Sequence, residues 1–269
     1  NKAKTTSERL KILASFRPSF LAPNLPRNGE PRTGLSMGGH TELTAKRWQI
    51  PREEQDKLAL ASHQNLHNAY EAGFMDDLVT PFNGLDKDNL LRPNTQIEKL
   101  ASLGPAFDKH GGTLSAGNSS ALTDGASAVL LASEQWAKER GLPVLAYITD
   151  YETSAVDFIG KDSDYKEELL LAPAYAVPKM LARHNMSLQD FDFYEIHEAF
   201  AAQVLATLKA WNTPEFCQER LGLEQVLGEI DFTKLNVNGS SLATGHPFAA
   251  TGGRIVGNLA KLLNEKGSG

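Results

Sequence analysis

Residues 236–254 constrain this chain more than any other stretch. They read Asn-Val-Asn-Gly-Ser-Ser-Leu-Ala-Thr-Gly-His-Pro-Phe-Ala-Ala-Thr-Gly-Gly-Arg, with Gly239, Gly245, Gly252 and Gly253 set around one histidine and one proline. Glycine gathers where the backbone needs positive φ or must come close to another group. Immediately afterwards Ile255, Leu259, Leu262 and Leu263 recur at helical spacing, so the turn opens into a helix with one apolar face. His246 is therefore held by the backbone, and histidine is the side chain most easily set to exchange a proton near neutral pH. Two readings stay open here: an exposed turn histidine, or a ring aimed into a cleft.

A second segment bears on that choice. Phe193-Tyr194-Glu195-Ile196 is short and apolar enough for a buried strand, and His197-Glu198-Ala199-Phe200 follows at once. From Phe200, the positions Val204, Leu205, Leu208 and Trp211 share one helical face. His197 and Glu198 then sit at a strand-to-helix junction, where backbone N–H groups are free and α/β proteins place ligands. Glu198 reads equally as a cap on that helix or as a carboxylate supporting the site.

The two segments together resemble the thiolase superfamily, which carries an Asn-Glu-Ala-Phe-Ala box and a later Asn-x-x-Gly-Gly-x-x-x-x-Gly-His-Pro-x-x-x-x-Gly-x-Arg box. Here the first reads His-Glu-Ala-Phe-Ala from His197, and the second has Ser240 at the second glycine. The histidine in the first box is similar to the β subunits of fatty-acid oxidation complexes. Thr113-Leu-Ser-Ala-Gly-Asn-Ser-Ser-Ala-Leu-Thr-Asp-Gly-Ala resembles a third family box, and the Met37-Gly38 turn followed by the Glu53-Glu-Gln-Asp helix resembles the family's loop domain.

Bulk properties are those of a globular protein. The 269 residues are enough for a large core, and 41% apolar and 22% charged residues are globular values. A net charge of −6 argues against nucleic-acid binding, which wants a basic face. No apolar run approaches the roughly 18 residues of a membrane helix, and the first residues lack the apolar core of a signal peptide. Cys217 is the one cysteine, so no intrachain disulfide forms. It stands in a polar, helix-like stretch and reads as an incidental thiol.

In chain order, residues 1–16 read as a basic amphipathic helix, a solvated surface helix whose contact with a membrane surface or acidic partner would be weak. Prolines 18, 23, 26 and 31 make residues 17–32 an irregular connection. Short helices are expected over 41–48 and 96–103. A longer helix begins at Pro51, carries the stripe Ala59, Ser62, Leu66, Ala69 and Tyr70, and stops at Gly73. His63 and His67 lie four apart on it, but no third ligand is evident, so no metal site is expected. Residues 126–133 and 144–149 read as buried strands and 134–141 as a helix. A further helix enters through Pro178, and Asn185 and Ser187 break it. Strands alternating with helices give an α/β class.

The resemblance implies more. The fold would be the layered αβαβα thiolase architecture, with residues 1–122 as the loop domain on the CoA side, 123–143 as the end of the first half and 144–269 as most of the second. Most of the first half and the last strands would lie outside these residues. The activity implied is thiolytic cleavage of 3-ketoacyl-CoA, or the reverse condensation, in fatty-acid β-oxidation. His246 would activate a cysteine nucleophile, and His197 would stand beside the thioester oxygen where many thiolases have asparagine. The family's two catalytic cysteines fall outside the 269 residues. Met37, Arg92, Phe107, Ala116, Ser120, Leu122, Ala199 and Phe200 match positions that line the CoA groove. Individually, Arg92 reads equally as a surface charge, and Phe107 and Leu122 as ordinary core.

Coenzyme A enters as a substrate, with no permanently bound cofactor. The partners implied are acyl-CoA and CoA, a second copy in a homodimer or tetramer, and a hydratase/dehydrogenase subunit. The setting would be cytoplasmic in a bacterium or mitochondrial in a eukaryote. The readings from other classes are a non-catalytic thiolase-fold protein that binds acyl-CoA or a partner, and a ketoacyl synthase relative. The Met-Gly turn and His-Glu-Ala-Phe box argue against the synthase. An NAD-binding reading is weak, because no Gly-x-Gly-x-x-Gly joins a strand to a helix.

Overall fold

The structure, a computed structural model, describes residues 3–17, 28–160 and 167–267. Most of the expected 17–32 connection lies outside the described residues.

The helices follow from caps and apolar stripes. α1 (Thr6–Ala14) carries a capping box on Thr5 and buries none of its residues. α2 (Met37–Arg47) is capped by the Ser36 hydroxyl, so it starts four residues before the expected position. The reason is local packing: Gly38 lies where a Cβ would be 2.1 Å from the Phe107 ring, and this glycine belongs to the first helical turn rather than to a turn before it. α3 (Arg52–Glu71) buries the whole expected stripe, and Gly73 at φ +75° follows its end. α4 (Ile97–Ala101) and α5 (Glu134–Glu139) are short, and Ser133 caps α5. α6 (Pro173–His184) starts at Pro173, so Pro178 lies within the helix, buried, and not at its entrance; Asn185 in the left-handed region ends it.

α7 (Ala201–Trp211) is the centre of the core. Ala201, Ala202, Val204, Ala206, Ala210 and Trp211 are all buried there against residues of α2, α3 and α6. The small alanines let neighbouring backbones approach closely. α8 (Ser241–Thr244) is a single buried turn, and α9 (Thr251–Lys266) closes the described chain. A second cluster joins Leu66, Ala69 and Tyr70 of α3 to Phe74, Met75 and Ala243, so α3 belongs to both cores. Cys217 occupies a single π turn over Phe216–Arg220, where its thiol is buried and donates to the carbonyls of Ala210 and Trp211. Phe216 and Cys217 of that stretch reach into the core, while Glu215, Gln218 and Glu219 keep its outer face polar and exposed.

The expected strands do not form ladders among the described residues. Pairing is limited to four isolated bridges, of which Ser119 with Phe200 (antiparallel) and Tyr194 with Leu235 (parallel) bear on the site. Residues 126–133 and 144–149 have no regular structure, and Leu130 and Ile148 are 74% and 64% exposed. A strand is held by a neighbouring backbone, and none of the described residues pairs with these two segments. The apolar run at 193–196 keeps one bridge, at Tyr194. No helix among the described residues is long and apolar enough to cross a membrane.

Candidate active site

The two histidine segments meet. The Tyr194 N–H donates to the Lys234 carbonyl and the Asn236 N–H to the Tyr194 carbonyl. The Asn236 side chain then stands in for the next peptide: the Ile196 N–H donates to its Oδ1 at 2.8 Å, and its Nδ2 donates to the Ile196 carbonyl at 2.9 Å. This side-chain pairing continues the parallel register up to His197. Asn236 itself has φ +46°, a conformation asparagine tolerates better than most residues.

Glu198 ties the layer beneath. It is 1% exposed, and it accepts from Ser62 Oγ (2.7 Å), Asn236 Nδ2 (2.7 Å) and the Leu242 N–H (3.3 Å). It does not cap α7; the Ala201 N–H is met instead by the Asn118 carbonyl. Burial pushes the Glu198 pKa upward, while the hydrogen bonds from Ser62 and Asn236 pull it back. Gly239, at φ +75°, passes over α3 so closely that a Cβ would be 2.5 Å from the Ser62 carbonyl oxygen.

Above this layer lie the two imidazoles. The rings of His197 and His246 are 4.1 Å apart between centroids, tilted by 48°, and Phe248 lies 5.1 Å from the His246 ring. Gly245 makes the His246 turn possible: it sits at φ +85°, and a Cβ there would be 2.5 Å from Thr123 and 2.6 Å from Leu90. His246 Nδ1 lies 2.6 Å from Thr251 Oγ1, and His197 Nδ1 lies 2.7 Å from Ser241 Oγ. Arg254 Nη2 donates to both Ser240 Oγ and Ser241 Oγ, at 3.0 and 3.1 Å. Burial, the neighbouring His246 and the Arg254 charge bring the His197 pKa down to about 4. Burial and the Arg254 charge lower His246 too. Both rings are thus neutral at physiological pH. Glu195, on the same segment, has both carboxylate oxygens out of solvent with no hydrogen-bond partner among the described residues.

His246 opens onto a solvent-accessible cleft of about 480 Å³, lined also by Leu122, Thr123, Asp124, Gly125, Pro247 and Phe248. The groove residues come together beside it in part. The Ser120 N–H donates to the Ala199 carbonyl, which joins the 113–120 loop to the His-Glu-Ala-Phe segment. Phe107 packs edge-on to Phe200 at 5.8 Å, Met37 and Ala199 pack on the same core, and Ala116 is exposed on the loop. That loop is held from below by carboxylates: Glu42 accepts the Thr113 and Leu114 N–H groups, and Asp56 accepts from Asn118. Leu122 is 80% exposed, in the cleft rather than in the core. The Arg92 guanidinium is exposed and donates to the Asn89 and Leu91 carbonyls of its own loop, although Leu90 of that loop abuts Gly245. The Arg92 N–H donates to His63 Nδ1, which engages that ring nitrogen. No group of three or more metal-ligating side chains comes together among the described residues.

Sequence reasoning missed the supports. Ser62 was read only as part of a core stripe, and Ser241, Thr251 and Arg254 only as members of a glycine-rich box. The available signal was polarity: two adjacent serines and an arginine inside an otherwise small and apolar segment.

Comparison with known proteins places the chain in one family. Residues 29–135 match the model for the thiolase N-terminal domain, and residues 142–269 match that for the thiolase C-terminal domain. A 3-ketoacyl-CoA thiolase of Pectobacterium carotovorum subsp. carotovorum (strain PC1) is 43% identical over all of this chain and 61% of its own length. The structure of human mitochondrial 3-ketoacyl-CoA thiolase in complex with CoA is similar at 31% identity and a TM-score of 0.72, over 94% of this chain and 61% of that one. The Bacillus anthracis acetyl-CoA acetyltransferase is similar at 34% identity and a TM-score of 0.73, over 94% of this chain and 62% of that one. The chain thus spans about three-fifths of the length of the relatives it matches. With both domain models matched in order along it and its backbone following the layered α/β fold of these structures, the chain belongs to the thiolase family.

Proposed function

We propose that this chain carries the histidine centre and the CoA-facing loops of an acyl-CoA C-acyltransferase that cleaves 3-ketoacyl-CoA by thiolysis, or runs the condensation in reverse, in fatty-acid β-oxidation. The observation that carries this reading is the pair of neutral imidazoles in ring contact, one of which, His246, lines an open cleft. Thiolysis needs a thiolate, and a histidine nearby generates one. It also needs a donor aimed at the thioester oxygen as negative charge develops there.

His246 suits the first task. His246 Nδ1 and the Thr251 hydroxyl share a 2.6 Å hydrogen bond, and we assign Nδ1 as its donor, with the Pro247 carbonyl at 3.4 Å open to the Thr251 proton. Nε2 then keeps its lone pair, and burial keeps the ring neutral and able to accept a thiol proton. His197 suits the second, as a neutral donor close by. The thiol is not Cys217, which is buried and hydrogen-bonded at the far end of α7 from His197. The family resemblance puts the reacting cysteines outside these residues. Phe107, Phe200, Met37 and Ala199 supply the thin apolar wall that a pantetheine chain wants. Arg92 stands free of that wall and is assigned to phosphate only by its place in the sequence.

The test is His246→Ala in the complete protein, with turnover of a 3-ketoacyl-CoA and equilibrium binding of CoA measured side by side. Turnover falls by roughly two to four orders of magnitude, the usual worth of a general base, while CoA affinity stays near normal. Turnover that survives the substitution removes His246 from the reaction and leaves a CoA-binding protein.

A further inference from the structure

We propose that Arg254, acting through the Ser241 hydroxyl, is a positioning residue that fixes His197 as the Nε2–H tautomer, so that the two imidazoles in contact take opposite roles: His197 a proton donor, His246 an acceptor.

The argument is a count of protons and lone pairs. A serine hydroxyl has one proton to give and two lone pairs to fill. A guanidinium is always protonated, so the 3.1 Å contact from Arg254 Nη2 fills one lone pair of Ser241 Oγ. That contact also draws charge from the oxygen, which makes its O–H a better donor and its second lone pair a poorer acceptor. His197 Nδ1, at 2.7 Å, is the acceptor the structure provides for the Ser241 proton. With Nδ1 accepting, the ring proton of neutral His197 sits on Nε2. At His246 the assignment runs the other way: Thr251 has a second acceptor for its proton in the Pro247 carbonyl at 3.4 Å, which leaves its oxygen to accept from Nδ1. Among the described residues neither Nε2 has a hydrogen-bond partner; His246 lines the cleft, and His197 lies against it in ring contact.

Burial disfavours the charge of Arg254, and the neighbouring acids Glu195, Glu198 and Asp88 favour it when ionised, Glu195 only at pH above about 8. Arg254 also places a fixed positive charge near both rings and helps keep them neutral. The charged and titratable groups around His197 are then His246 from the α8–α9 turn, Arg254 from α9, and Glu195 and Glu198 from its own segment.

The inference deepens the proposed function, since an oxyanion donor at His197 requires Nε2–H. Its test, however, needs no turnover. Long-range proton–nitrogen NMR of the histidine-labelled chain distinguishes the two tautomers directly and follows each ring through its titration. The expected result is His197 as a single Nε2–H form and His246 as Nδ1–H. In Ser241→Ala, His197 becomes a mixture of tautomers while His246 is unchanged. In Arg254→Gln, the His197 pKa rises, since one of the charges that lower it is removed. A proton on His197 Nδ1 in the unsubstituted chain overturns the proposal even if neither variant folds. So does a Ser241→Ala chain that keeps the single tautomer, or an Arg254→Gln chain with an unmoved His197 titration. A confirmed tautomer beside a lost catalytic role for His246 would count against the acyltransferase reading alone.

Discussion

Glu195→Gln is the most informative single change. Both Glu195 carboxylate oxygens are out of solvent without a hydrogen bond, and burial pushes the pKa from 4.5 up to about 8 despite the Arg254 charge; Glu198 adds to the rise. A carboxyl group whose pKa is raised on folding keeps its proton in the folded chain after the unfolded chain has released it. Its contribution to stability is therefore full below the unfolded pKa and is lost as pH climbs through the folded value. The size of the loss is roughly 4–5 kcal/mol at about 1.36 kcal/mol per pH unit, an upper limit because a partly accessible site relaxes. Glutamine has nearly the same shape and does not titrate. Urea denaturation at about pH 5 and about pH 8.5 reads the effect: the natural chain loses several kcal/mol over that interval through this group, and the variant does not. The variant is thus favoured over the natural chain by a margin that grows with pH. Parallel stability curves for the two proteins would refute the reasoning, because they would mean that Glu195 titrates alike when folded and unfolded.

Two further changes probe the layer under the histidines. Glu198→Ala leaves three buried donors without their acceptor, at about 1–3 kcal/mol each, so the urea midpoint falls by the equivalent of at least about 3 kcal/mol; an unmoved midpoint would contradict the hydrogen-bond network. Gly239→Ala puts a methyl group 2.5 Å from the Ser62 carbonyl oxygen and 2.6 Å from Leu66 Cβ at φ +75°, and costs about 3 kcal/mol from left-handed strain and overpacking together. Gly252→Ala is its control, since nothing lies within 4 Å of a Cβ there, and denaturation should show it neutral or stabilising.

Side-chain chemistry was legible in the sequence where a single element determines it. The α3 stripe follows from 3.6-residue periodicity, and the end at Gly73 from the positive φ that glycine takes there. The two histidine segments were legible as a pair because each carries a spaced box, and the structure joins them at ring contact. What periodicity does not carry is the identity of a backbone partner. The apolar runs at 126–133 and 144–149 state what their side chains want, but a ladder depends on a neighbour far away in sequence, and none is formed here. Helix starts were misplaced where glycine or proline has two possible jobs. Gly38 serves a close contact with Phe107 inside a helix, and Pro173, not Pro178, opens α6. The Glu198 cap failed for a similar reason: a carboxylate at a helix start is drawn to whichever donors are buried with it, and those came from α3 and from residues 236 and 242.

Asn236 acts as a clasp at the base of the site. Its backbone and side chain bind Tyr194 and Ile196, its amide reaches Glu198, and its carbonyl accepts from Asn65 of α3. One residue thus couples three separate lengths of chain mechanically, so the turns bearing the two imidazoles cannot drift independently. A ligand that displaces one ring must drag the other with it or break the clasp, and the spacing between donor and acceptor is set by a part that never meets the ligand.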